Sequence, residues 1–545
     1  MTETNVPVFT SRIDTSSDAY AANREAMLAL VQQLRTAEGQ AEAKSESKAA
    51  KFAGRGQLLP RQRVALLLDP GAPFLELGNL AGYLVDDEDP AASIPGGSSI
   101  VGIGFVRGTR VMVAASDSGI GAGAITIPGL DKTLRAQDIA LENRLPMINL
   151  SESAGANLLE YRVEFWSDGG RSFANMARHS AAGLPVITVL HGSGTAGGAY
   201  VPGLSDVVIG VQGQGKAFLA GPPLLKAATG EVAEEQELGG VAMHSTVTGL
   251  VDHVASDDSD AIRICRDVVA SMRFGDTTVD REPASFDEPL YDPDELAGVV
   301  PVDFKSAYDV RELVARVVDG SRLVDFKPSF GQATVCLEAE VHGRPVGIIG
   351  NNGPIDNAGA NKATQFIQRC CQLGTPLVFL HNITGYMVGV EAERGGMIKH
   401  GSKMIQAVAN ATVPRFTFIV GASFGAGNYG MSGQGYDPRF LFQWPNGRSG
   451  VMGAEQAATT MRIVAQQRAE KMGQELDEAF IEAFIAQIVG LYEAQESAWV
   501  TSGRGLDDGV IDPRDTRSVL GFLLATVAEA DAADLHPLTF GVARP

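Results

Sequence analysis

The chain has 545 residues, a formal net charge of −21, and 45% hydrophobic against 20% charged residues. This length exceeds what one hydrophobic core covers, so two large domains are expected. The negative charge argues against a nucleic-acid partner, which needs a concentrated basic face, and no apolar run is long enough for a membrane span. The first residues, MTETNVPVFT, lack the basic and apolar regions of a signal peptide, so we expect a cytoplasmic protein.

The beginning of the chain has a helical pattern. Residues 17–53 are rich in Ala, Glu, Gln and Lys with leucines at helical spacing, which predicts exposed helices. A basic cluster follows, made of Lys48, Lys51, Arg55, Arg61 and Arg63. Such a cluster is typical of a solvated surface, but in so acidic a chain it is also a place where an anionic ligand tail could be held.

Several segments occur twice in the same order. RVALLLDPGAPFLELG, from Arg63, corresponds to ELVARVVDGSRLVDFK, from Glu312, and this match aligns Asp69 with Asp319. Two further β-rich segments with a small turn (RGTR, HGRP) predict hairpins, at residues 98–115 and 339–350. Helical segments then lead through a proline into an apolar strand in both halves, at residues 130–145 and 361–373. Strand, turn and helix units that repeat in this order predict βαβ crossovers of right-handed connection.

The boundary between the two copies lies where the composition changes. The segment from Phe274 to Glu295, FGDTTVDREPASFDEPLYDPDE, is rich in Pro and Asp and lacks periodicity, so it is interpreted as a linker. We therefore predict an N-terminal helical extension at residues 1–60, an N-terminal domain at 61–290 and a C-terminal domain at 291–545.

A glycine-rich turn is the first candidate for chemistry. LPVITVLHGSGTAGGAY, from Leu184 to Tyr200, is a buried-strand run that ends in glycines before small, helix-permissive residues. Backbone N–H groups at the start of a helix point at one spot, where the helix dipole also favours negative charge. A thioester carbonyl becoming an enolate would be stabilised there, although such turns also occur simply to let a chain turn closely.

The same turn occurs again in RFTFIVGASFGAGNY, from Arg415 to Tyr429. Gly192 aligns with Gly421 at an offset of 229 residues, since 421 − 192 = 229. At that offset Gly197 and Gly198 of the first turn align with Ala426 and Gly427 of the second. The duplication in register favours two anion-stabilising sites over an incidental turn.

Other reactive residues lack a pattern that indicates chemistry. The cysteines include no CxxC and no metal-ligand spacing with His, and Asp507, Asp508 and Asp512 alternate with Gly and Pro as in an ordinary turn. We therefore expect no metal. His191, His244 and His381 are candidate bases, but His191 is interpreted as a core histidine. Tyr200 and Tyr429 are expected to pack the helices behind the turns.

Five stretches resemble the carboxyltransferase (β) subunit of biotin-dependent acyl-CoA carboxylases. They are GSGTAGGAYVPGLSD, AFLAGPPLLKAATGEVA, IGNNGPIDNAGANKATQFIQ, FLHNITGYMVG and GAGNYGMSGQGYDPRFLFQWPNGRSGVMGAEQAA. The resemblance covers the chain after about residue 50. AGGAYVPG resembles the methylcrotonyl-CoA and geranyl-CoA carboxylase branch, whereas propionyl-CoA and acetyl-CoA enzymes more often show AGGAVYSP.

The resemblance implies an α/β fold of two tandem crotonase-like (ClpP/crotonase) domains, built as βαβ superhelices and related by internal duplication. It also implies a homo-hexamer in which the N-domain of one subunit and the C-domain of another form each active site. A carboxyl group passes from carboxybiotin to an acyl-CoA or enoyl-CoA. No AMKM-like biotinylation site is present, since Lys471-Met472 lies in AEKMGQ, and there is no P-loop. A partner α subunit with biotin carboxylase and biotin carboxyl carrier functions is therefore expected.

By the same resemblance, Gly197 and Gly198 are assigned to the acyl-CoA enolate, and Ala426 and Gly427 to biotin. Further substrate-binding residues are assigned at Ala154, Gly155, Ser172, Ala174, Ala196, Gly385, Tyr386 and Gly425. Members that act on methylcrotonyl-CoA usually begin the segment around Ser151 with Asp and have bulkier, aromatic side chains near Ser172 to Ala174, where this chain reads SESAGAN and RSFANMA. The smaller residues predict room for a longer acyl chain, as in a geranyl-type substrate.

Other functions stay open from the sequence alone. A propionyl-CoA or acetyl-CoA carboxylase β subunit, or the decarboxylase component of a sodium pump running the reverse reaction, shares the resemblance. A crotonase-type hydratase or isomerase would need a carboxylate near the enolate site, for which Glu152 and Glu231 are available. A non-catalytic scaffold is disfavoured, because both glycine turns are intact.

Overall fold

The computed structural model describes residues 6–85, 87–155, 162–274, 285–473 and 478–538. The chain forms two compact units. The N-terminal unit comprises Arg35–Arg281, Gly503–Gly505 and Ala525–Pro545, and the C-terminal unit comprises Met1–Leu34, Glu282–Ser502 and Leu506–Leu524. The domain boundaries at residues 60 and 290 stay a prediction, and residues 275–284 of the predicted linker lie outside the described residues.

The first half of the chain alternates helices and strands. Its helices are α1 (Asp18–Glu46), α2 (Ala49–Ala53), α3 (Pro60–Leu67), α4 (Ile127–Glu142), α5 (Val163–Ala181), α6 (Tyr200–Gly203), α7 (Pro222–Thr229), α8 (Glu235–Gly239), α9 (Val241–Met243) and α10 (Asp258–Met272). Its strands are β1 (Leu75–Glu76), β2 (Ser99–Val106), β3 (Thr109–Ser116), β4 (Met147–Ser153), β5 (Val186–Thr195), β6 (Val207–Val211), β7 (Lys216–Phe218) and β8 (His253–Ala255). The predicted N-terminal helices are confirmed as α1 and α2.

Among the described residues these strands form one eight-stranded sheet in the order β1-β2-β3-β4-β5-β6-β8, with β7 beside the end of β5. The β2–β3 hairpin is antiparallel, whereas β3, β4, β5 and β6 are parallel neighbours. Parallel strands joined by helices need apolar residues on both faces, and Ile148, Ile187 and Ile209 are fully buried. Because β4 and β5 are parallel neighbours, their carboxyl ends lie beside each other at one edge of the sheet.

The second half repeats this plan. Its helices are α11 (Leu296–Val299), α12 (Val310–Val314), α13 (Asn357–Leu373), α14 (Val390–Arg394), α15 (Met397–Ala409), α16 (Gly425–Gly430), α17 (Ala454–Met472), α18 (Glu478–Glu496), α19 (Ala498–Gly503) and α20 (Thr516–Ala532). Its strands are β9 (Leu323–Asp325), β10 (Thr334–Val341), β11 (Arg344–Asn351), β12 (Leu377–Ile383), β13 (Arg415–Phe424), β14 (Phe440–Gln443) and β15 (Arg448–Gly450). They form a second sheet in the order β14-β13-β12-β11-β10-β9, with β15 beside β13.

The duplication is confirmed at the level of single contacts. The Asp69 carboxylate accepts hydrogen bonds from the hairpin amides of Arg107 and Gly108 and pairs with Arg266. In the second copy, the Asp319 carboxylate accepts hydrogen bonds from the hairpin amides of His342 and Gly343. Asp319 is likewise paired with an arginine, Arg517. The aspartates aligned in sequence thus anchor equivalent hairpins.

The two long helices that follow the hairpins begin earlier than predicted. α4 begins at Ile127 rather than Leu130, because the Thr126 hydroxyl accepts a hydrogen bond from the amide of Gly129. α13 begins at Asn357 rather than Asn361, because Asp356 caps it in the same way. Such N-caps satisfy amides that lack an intrahelical acceptor, and they extend each helix by three or four residues beyond its periodic pattern.

Candidate active site

The first glycine turn lies at the carboxyl end of β5. A short 3-10 turn, Ala196–Ala199, joins the strand to α6, and Ala196 has a positive φ of 54°. This backbone conformation is unfavourable for a non-glycine residue and redirects the chain at the point where the helical turn begins. The first amides of a helical turn have no intrahelical acceptor, so the N–H groups of Gly197 and Gly198 are oriented for an external one.

A cavity of about 730 Å³ opens at this turn. It lies between the sheet and helices α4 and α5, and its wall is formed mostly by small or apolar side chains. Its sheet side includes Val101, Ala114, Ala115, Asn149, Leu150 and Ser151. Its helix side includes Leu130, Thr133, Trp166, Gly170 and Phe173. This volume is typical of a site for a small organic ligand.

Four of the residues assigned to the acyl side line the cavity: Ala196, Gly197, Gly198 and Ser172. Ser172 is held by the side-chain amide of the buried Gln137, which donates to its hydroxyl at 3.0 Å. An ideal Cβ built on Gly198 meets no heavy atom within 4 Å, whereas one built on Gly197 lies 3.4 Å from the Phe173 ring. The turn therefore presents open space at Gly198.

The other assigned residues of this unit lie beside the cavity, and none of them is among the described residues that line it. Ala154 is exposed, and its amide donates to the carbonyl of Ala122. Gly155 has a φ of 90°, and its carbonyl accepts from the amide of Ile125. Ala174 is half-buried on α5. Their substrate-binding role stays a prediction.

Sequence reasoning missed the aromatic and loop residues of the wall. Trp166 lines the cavity although its side chain is 72% exposed, and the Phe173 ring lies 5.8 Å from that of Tyr200. Tyr200 lines the cavity and is half exposed, so the prediction that it packs behind the turn is wrong. Two features of the sequence could have indicated this wall: the FW pair before the glycines of α5, and the PGGSS run before β2.

The second turn is built in the same way at the carboxyl end of β13. Gly425, aligned with Ala196, has a φ of 58°, and α16 begins at that residue. The amides of Ala426 and Gly427 are therefore at a helix start, like those of the first turn. An ideal Cβ on Gly427 would lie 3.0 Å from the Cα of Gly385, so this turn packs tightly against the loop after β12.

Tyr386, assigned to the biotin side, lies behind the second turn. Its hydroxyl donates to the carbonyl of Gly401 at 3.4 Å and lies 2.2 Å from where a Cβ on Gly430 would stand. Burial raises the pKa of Tyr386, so the phenol stays protonated at neutral pH. These contacts place the ring between α15 and α16, and its role in biotin binding stays a prediction.

The three histidines considered as bases are buried and hydrogen-bonded. His191 Nδ1 donates to Asp258 at 2.7 Å, and burial lowers the pKa of His191. His244 contacts Thr248 and the carbonyl of Ala217 through its two ring nitrogens. Burial lowers the pKa of His381 to about 4, so this ring is neutral at pH 7.

A buried ionic network lies behind the first turn. Arg63 is 1% exposed and pairs with Glu152 at 2.6 Å and with Asp258 at 2.9 Å. Arg63 is therefore not part of a basic surface, in contrast to the sequence interpretation. Because the Glu152 carboxylate is paired with Arg63, Glu152 is not an unpaired base, whereas Glu231 is exposed.

The aspartates near the end of the chain serve turns. Asp507 accepts hydrogen bonds from the Ser502 hydroxyl and the amide of Gly509, and the Asp508 carboxylate accepts from the amide of Leu441.

No cluster of three or more His, Cys, Asp or Glu side chains suited to a metal ion occurs among the described residues between 6 and 538. None of the described helices combines the length and apolar character that a bilayer crossing requires.

The carboxyl transferase domain family matches residues 52–538 of the chain. A probable biotin-dependent acyl-coenzyme A carboxylase beta2 subunit from Mycobacterium tuberculosis is 49% identical over 475 residues, which are 87% of this chain and 88% of the relative. A probable mitochondrial methylcrotonoyl-CoA carboxylase beta chain from Drosophila melanogaster is 44% identical, over 95% of this chain and 92% of the relative. These relatives agree with the resemblance drawn from the five sequence stretches.

The fold is shared with a solved structure. The β subunit of geranyl-CoA carboxylase from P. aeruginosa is 50% identical and superimposes with a TM-score of 0.92, covering 99% of this chain and 100% of that one. The predicted pair of crotonase-like α/β domains is thereby confirmed. The matched family, the relatives and the duplicated turns together show that the chain belongs to the carboxyl transferase family. Within this family it is one of the carboxyltransferase β subunits of biotin-dependent acyl-CoA carboxylases.

Proposed function

We propose that this chain transfers a carboxyl group from carboxybiotin to a branched enoyl-CoA or acyl-CoA longer than methylcrotonyl-CoA, with the acyl group in the cavity of the N-terminal unit. The observation that carries the proposal is the opening of a 730 Å³ cavity at the amides of Gly197 and Gly198. A thioester carbonyl at this turn would have its acyl chain directed along an apolar wall. The geranyl-CoA carboxylase similarity supports the same substrate class.

Two glycines in the middle of α5 support the longer chain. Gly169 and Gly170 line the cavity, and ideal Cβ atoms on either would meet nothing within 4 Å. Packing therefore does not require glycine at these positions, and each glycine inside a helix costs roughly 1 kcal/mol relative to alanine. This cost in helix stability is offset by function, because the space that the two glycines leave in the wall admits an acyl chain that larger side chains would block.

The chemistry assigned to the first turn is stabilisation of negative charge. When the substrate loses a proton from its α carbon, or from its γ carbon in an enoyl ester, charge develops on the thioester oxygen. The amides of Gly197 and Gly198 would donate to that oxygen, and one such preorganised donor is worth on the order of 3 kcal/mol. The apolar wall keeps water from the enolate and from CO₂.

The second turn is proposed to hold the ureido oxygen of biotin through the amides of Ala426 and Gly427. The donor set fits, because helix-start amides favour an oxygen that carries negative charge, and the positive φ of Gly425 gives this turn the backbone of the first. Bound carboxybiotin supplies the CO₂ and the base for the substrate proton. No ionisable side chain of this chain is needed for that proton transfer.

The proposal includes the partners. Biotin is carried by an α subunit that also has the biotin carboxylase activity, and this chain forms a homo-hexamer in which an N-domain and a C-domain of different subunits complete each site. Two relatives support the partner subunit that carries biotin, because both are named as beta subunits of biotin-dependent carboxylases. The hexamer and a cytoplasmic location stay predictions.

A substrate panel tests the proposal. The chain is reconstituted with its biotin-carrying subunit, and carboxylation is measured with acetyl-, propionyl-, methylcrotonyl- and geranyl-CoA and a saturated ten-carbon ester. We expect the highest kcat/KM with the longer branched enoyl ester. Gly170→Phe should shift the preference toward methylcrotonyl-CoA, whereas Gly203→Phe should not, because Gly203 is an exposed residue that is not in the cavity lining. A wild-type preference for acetyl-, propionyl- or methylcrotonyl-CoA, or no carboxylation, would overturn the proposal.

A further inference from the structure

The wall of the acyl cavity includes a strained loop before β2. Three consecutive residues have positive φ: Gly96 at 96°, Gly97 at 59° and Ser98 at 54°. Gly97, Ser98 and Ser99 line the cavity. The conformation is unfavourable at Ser98, and such a conformation persists only when its surroundings hold it in place.

Lys132 on α4 contributes to that hold, together with the amide of Asp117, which donates to the carbonyl of Ser98. Its ammonium group donates to the carbonyl of Gly96 at 3.2 Å and to the carbonyl of Ser99 at 2.8 Å. The two acceptors flank Gly97 and Ser98, so one cation ties both ends of the loop. The aliphatic stem is fixed as well, because its Cγ lies 3.2 Å from where a Cβ on Gly78 would stand.

A second, polar cavity lies on the other side of the same loop. It measures about 350 Å³, and its lining includes Arg61, Glu76, Gly96, Ser99 and Asp117. Ser99 lines both cavities, so the loop is a partition with space on either side.

Lys132 is mainly protonated at neutral pH, although burial and the charge of Arg61 both lower its pKa. Glu76 on β1, Arg61 on α3 and Asp117 after β3 are its charged neighbours. Burial lowers the pKa of Lys132 to about 8, and the carboxylates oppose this shift. Its hydrogen bonds to the two carbonyls are therefore charge-assisted, and such bonds are roughly twice as strong as neutral ones.

We infer that Lys132 is a positioning residue that fixes the Gly97–Ser99 wall and thereby sets which acyl chains the cavity selects. The inference rests on the proposed function, because it assumes that the acyl group occupies this cavity. Lys132 does not line the cavity and is only 7% exposed. It acts through the loop rather than on the substrate.

The second copy offers a matched control. Lys362, 230 residues later on α13, is fully buried, and its ammonium nitrogen has no hydrogen-bond partner among the described residues. The equivalent loop packs on its helix as the first loop does, since a Cβ on Gly331 would lie 2.5 Å from the amide nitrogen of Gly359 and one on Gly97 would lie 2.9 Å from that of Gly129. Lys362 is thus a buried lysine at the same helix position without the tethering bonds.

The test compares wild type, Lys132→Met and Lys362→Met as reconstituted complexes, with kcat and KM measured for methylcrotonyl-, geranyl- and decanoyl-CoA. We expect Lys132→Met to raise KM for the preferred ester about tenfold, because the loop loses both charge-assisted bonds and the cavity wall is no longer held in one position. We also expect kcat within twofold of wild type, and at least a fivefold loss of preference among the esters. Lys362→Met should keep the wild-type preference.

A second variant keeps the test decisive if Lys132→Met does not assemble. Lys132→Gln keeps an amide donor but is neutral and one bond shorter than lysine, so it should weaken the preference in the same direction by about twofold to threefold. Unchanged preference in the assembled variants, or equal changes in Lys132→Met and Lys362→Met, would overturn the inference while leaving the proposed function intact. Failure of wild type with every ester would instead overturn the proposed function.

Discussion

The carboxyl ends of the two sheets share a backbone plan and differ in what fills them. In the N-terminal unit, Asn149 and Ser151 of β4 line the open cavity. In the C-terminal unit, the aligned positions on β12 are Phe379 and His381, both fully buried. The neighbouring strands also have a smaller side chain in the first sheet than in the second. Ala114 pairs with Asn149 in the first sheet, whereas Ile349 pairs with Phe379 in the second.

His381 shows what the larger side chains do. One ring nitrogen lies 2.8 Å from the Ser423 hydroxyl on β13, and the other donates to the carbonyl of Met431 at 2.5 Å. These bonds join the strand before the second turn to the residue after α16. The duplication has therefore kept the backbone donors in both units, while strand side chains decide whether the turn faces a cavity or packed atoms.

The largest expected effect is at the open turn. Gly198→Val should reduce kcat at least a hundredfold, because its side chain would occupy the space in which the thioester must approach the amides, and loss of one such donor contact costs about 3 kcal/mol. The fold should survive, since an ideal Cβ at Gly198 meets nothing within 4 Å. Steady-state carboxylation and thermal unfolding measure the two effects.

Gly203→Val is the matched control, because a Cβ there also meets nothing within 4 Å and Gly203 is exposed on the following α6. It should keep near wild-type activity. Gly427→Val, at the packed turn, should also lose activity, but with a lower melting temperature, since its Cβ lies 3.0 Å from Gly385 and Ile383 atoms. If Gly198→Val stayed active, the assignment of the first turn would be wrong.

The packed turn should show a pH dependence of stability. The pKa of His381 is about 4 in the folded protein and 6.5 in the unfolded chain. The unfolded state therefore binds a proton first as the pH falls from 6.5 to 4, and the free energy of unfolding should decrease by about 3 kcal/mol over that window. Melting temperatures of wild type and His381→Asn between pH 7 and 4 measure it.

His381→Asn should be less stable than wild type at pH 7, because it loses a bond to Met431 or Ser423, and the gap should narrow toward pH 4. Ser151→Asn provides a comparison in the open unit, where no histidine titrates at the aligned position, and it should keep the wild-type slope. A constant gap between His381→Asn and wild type across the whole pH window would show that this histidine does not titrate on unfolding.

Ser151→His exchanges the side chain between the copies. The imidazole would reduce the space at the cavity floor, so kcat/KM for the longest accepted ester should fall about tenfold, while the shortest ester loses less than threefold. Ser153→Ala is the control, because Ser153 also lines the cavity but donates its hydroxyl bond to the Gly123 carbonyl. Equal losses for all esters would mean that Ser151 does not limit acyl length.

The sequence alone was sufficient for features that depend on local pattern. The offset of the glycine turns and the alignment of Asp69 with Asp319 were correct, because hairpins and helix-start turns need particular residues at fixed spacing. The role of Tyr200 was not predictable, because the side on which it is exposed depends on α5, which lies earlier in the chain. The tether from Lys132 to Gly96 and Ser99 was hidden for the same reason, since it joins a helix to a loop more than 30 residues away.

The smallest expected effect tests whether the positive φ at the start of each turn costs the two turns a different amount of stability. Ala196 and Gly425 are aligned and have φ values of 54° and 58°, but a left-handed conformation costs an L-residue roughly 1 kcal/mol that glycine does not incur. Ala196→Gly should therefore stabilise the protein by up to about 1 kcal/mol, and Gly425→Ala should destabilise it by at least that much, because a Cβ at Gly425 also lies 3.2 Å from the Val451 carbonyl. Melting temperatures of the two variants should shift in opposite directions. If Ala196→Gly instead lowered the melting temperature, the methyl group would contribute more by contact than it costs by strain, and the first turn would be held by packing just as the second is.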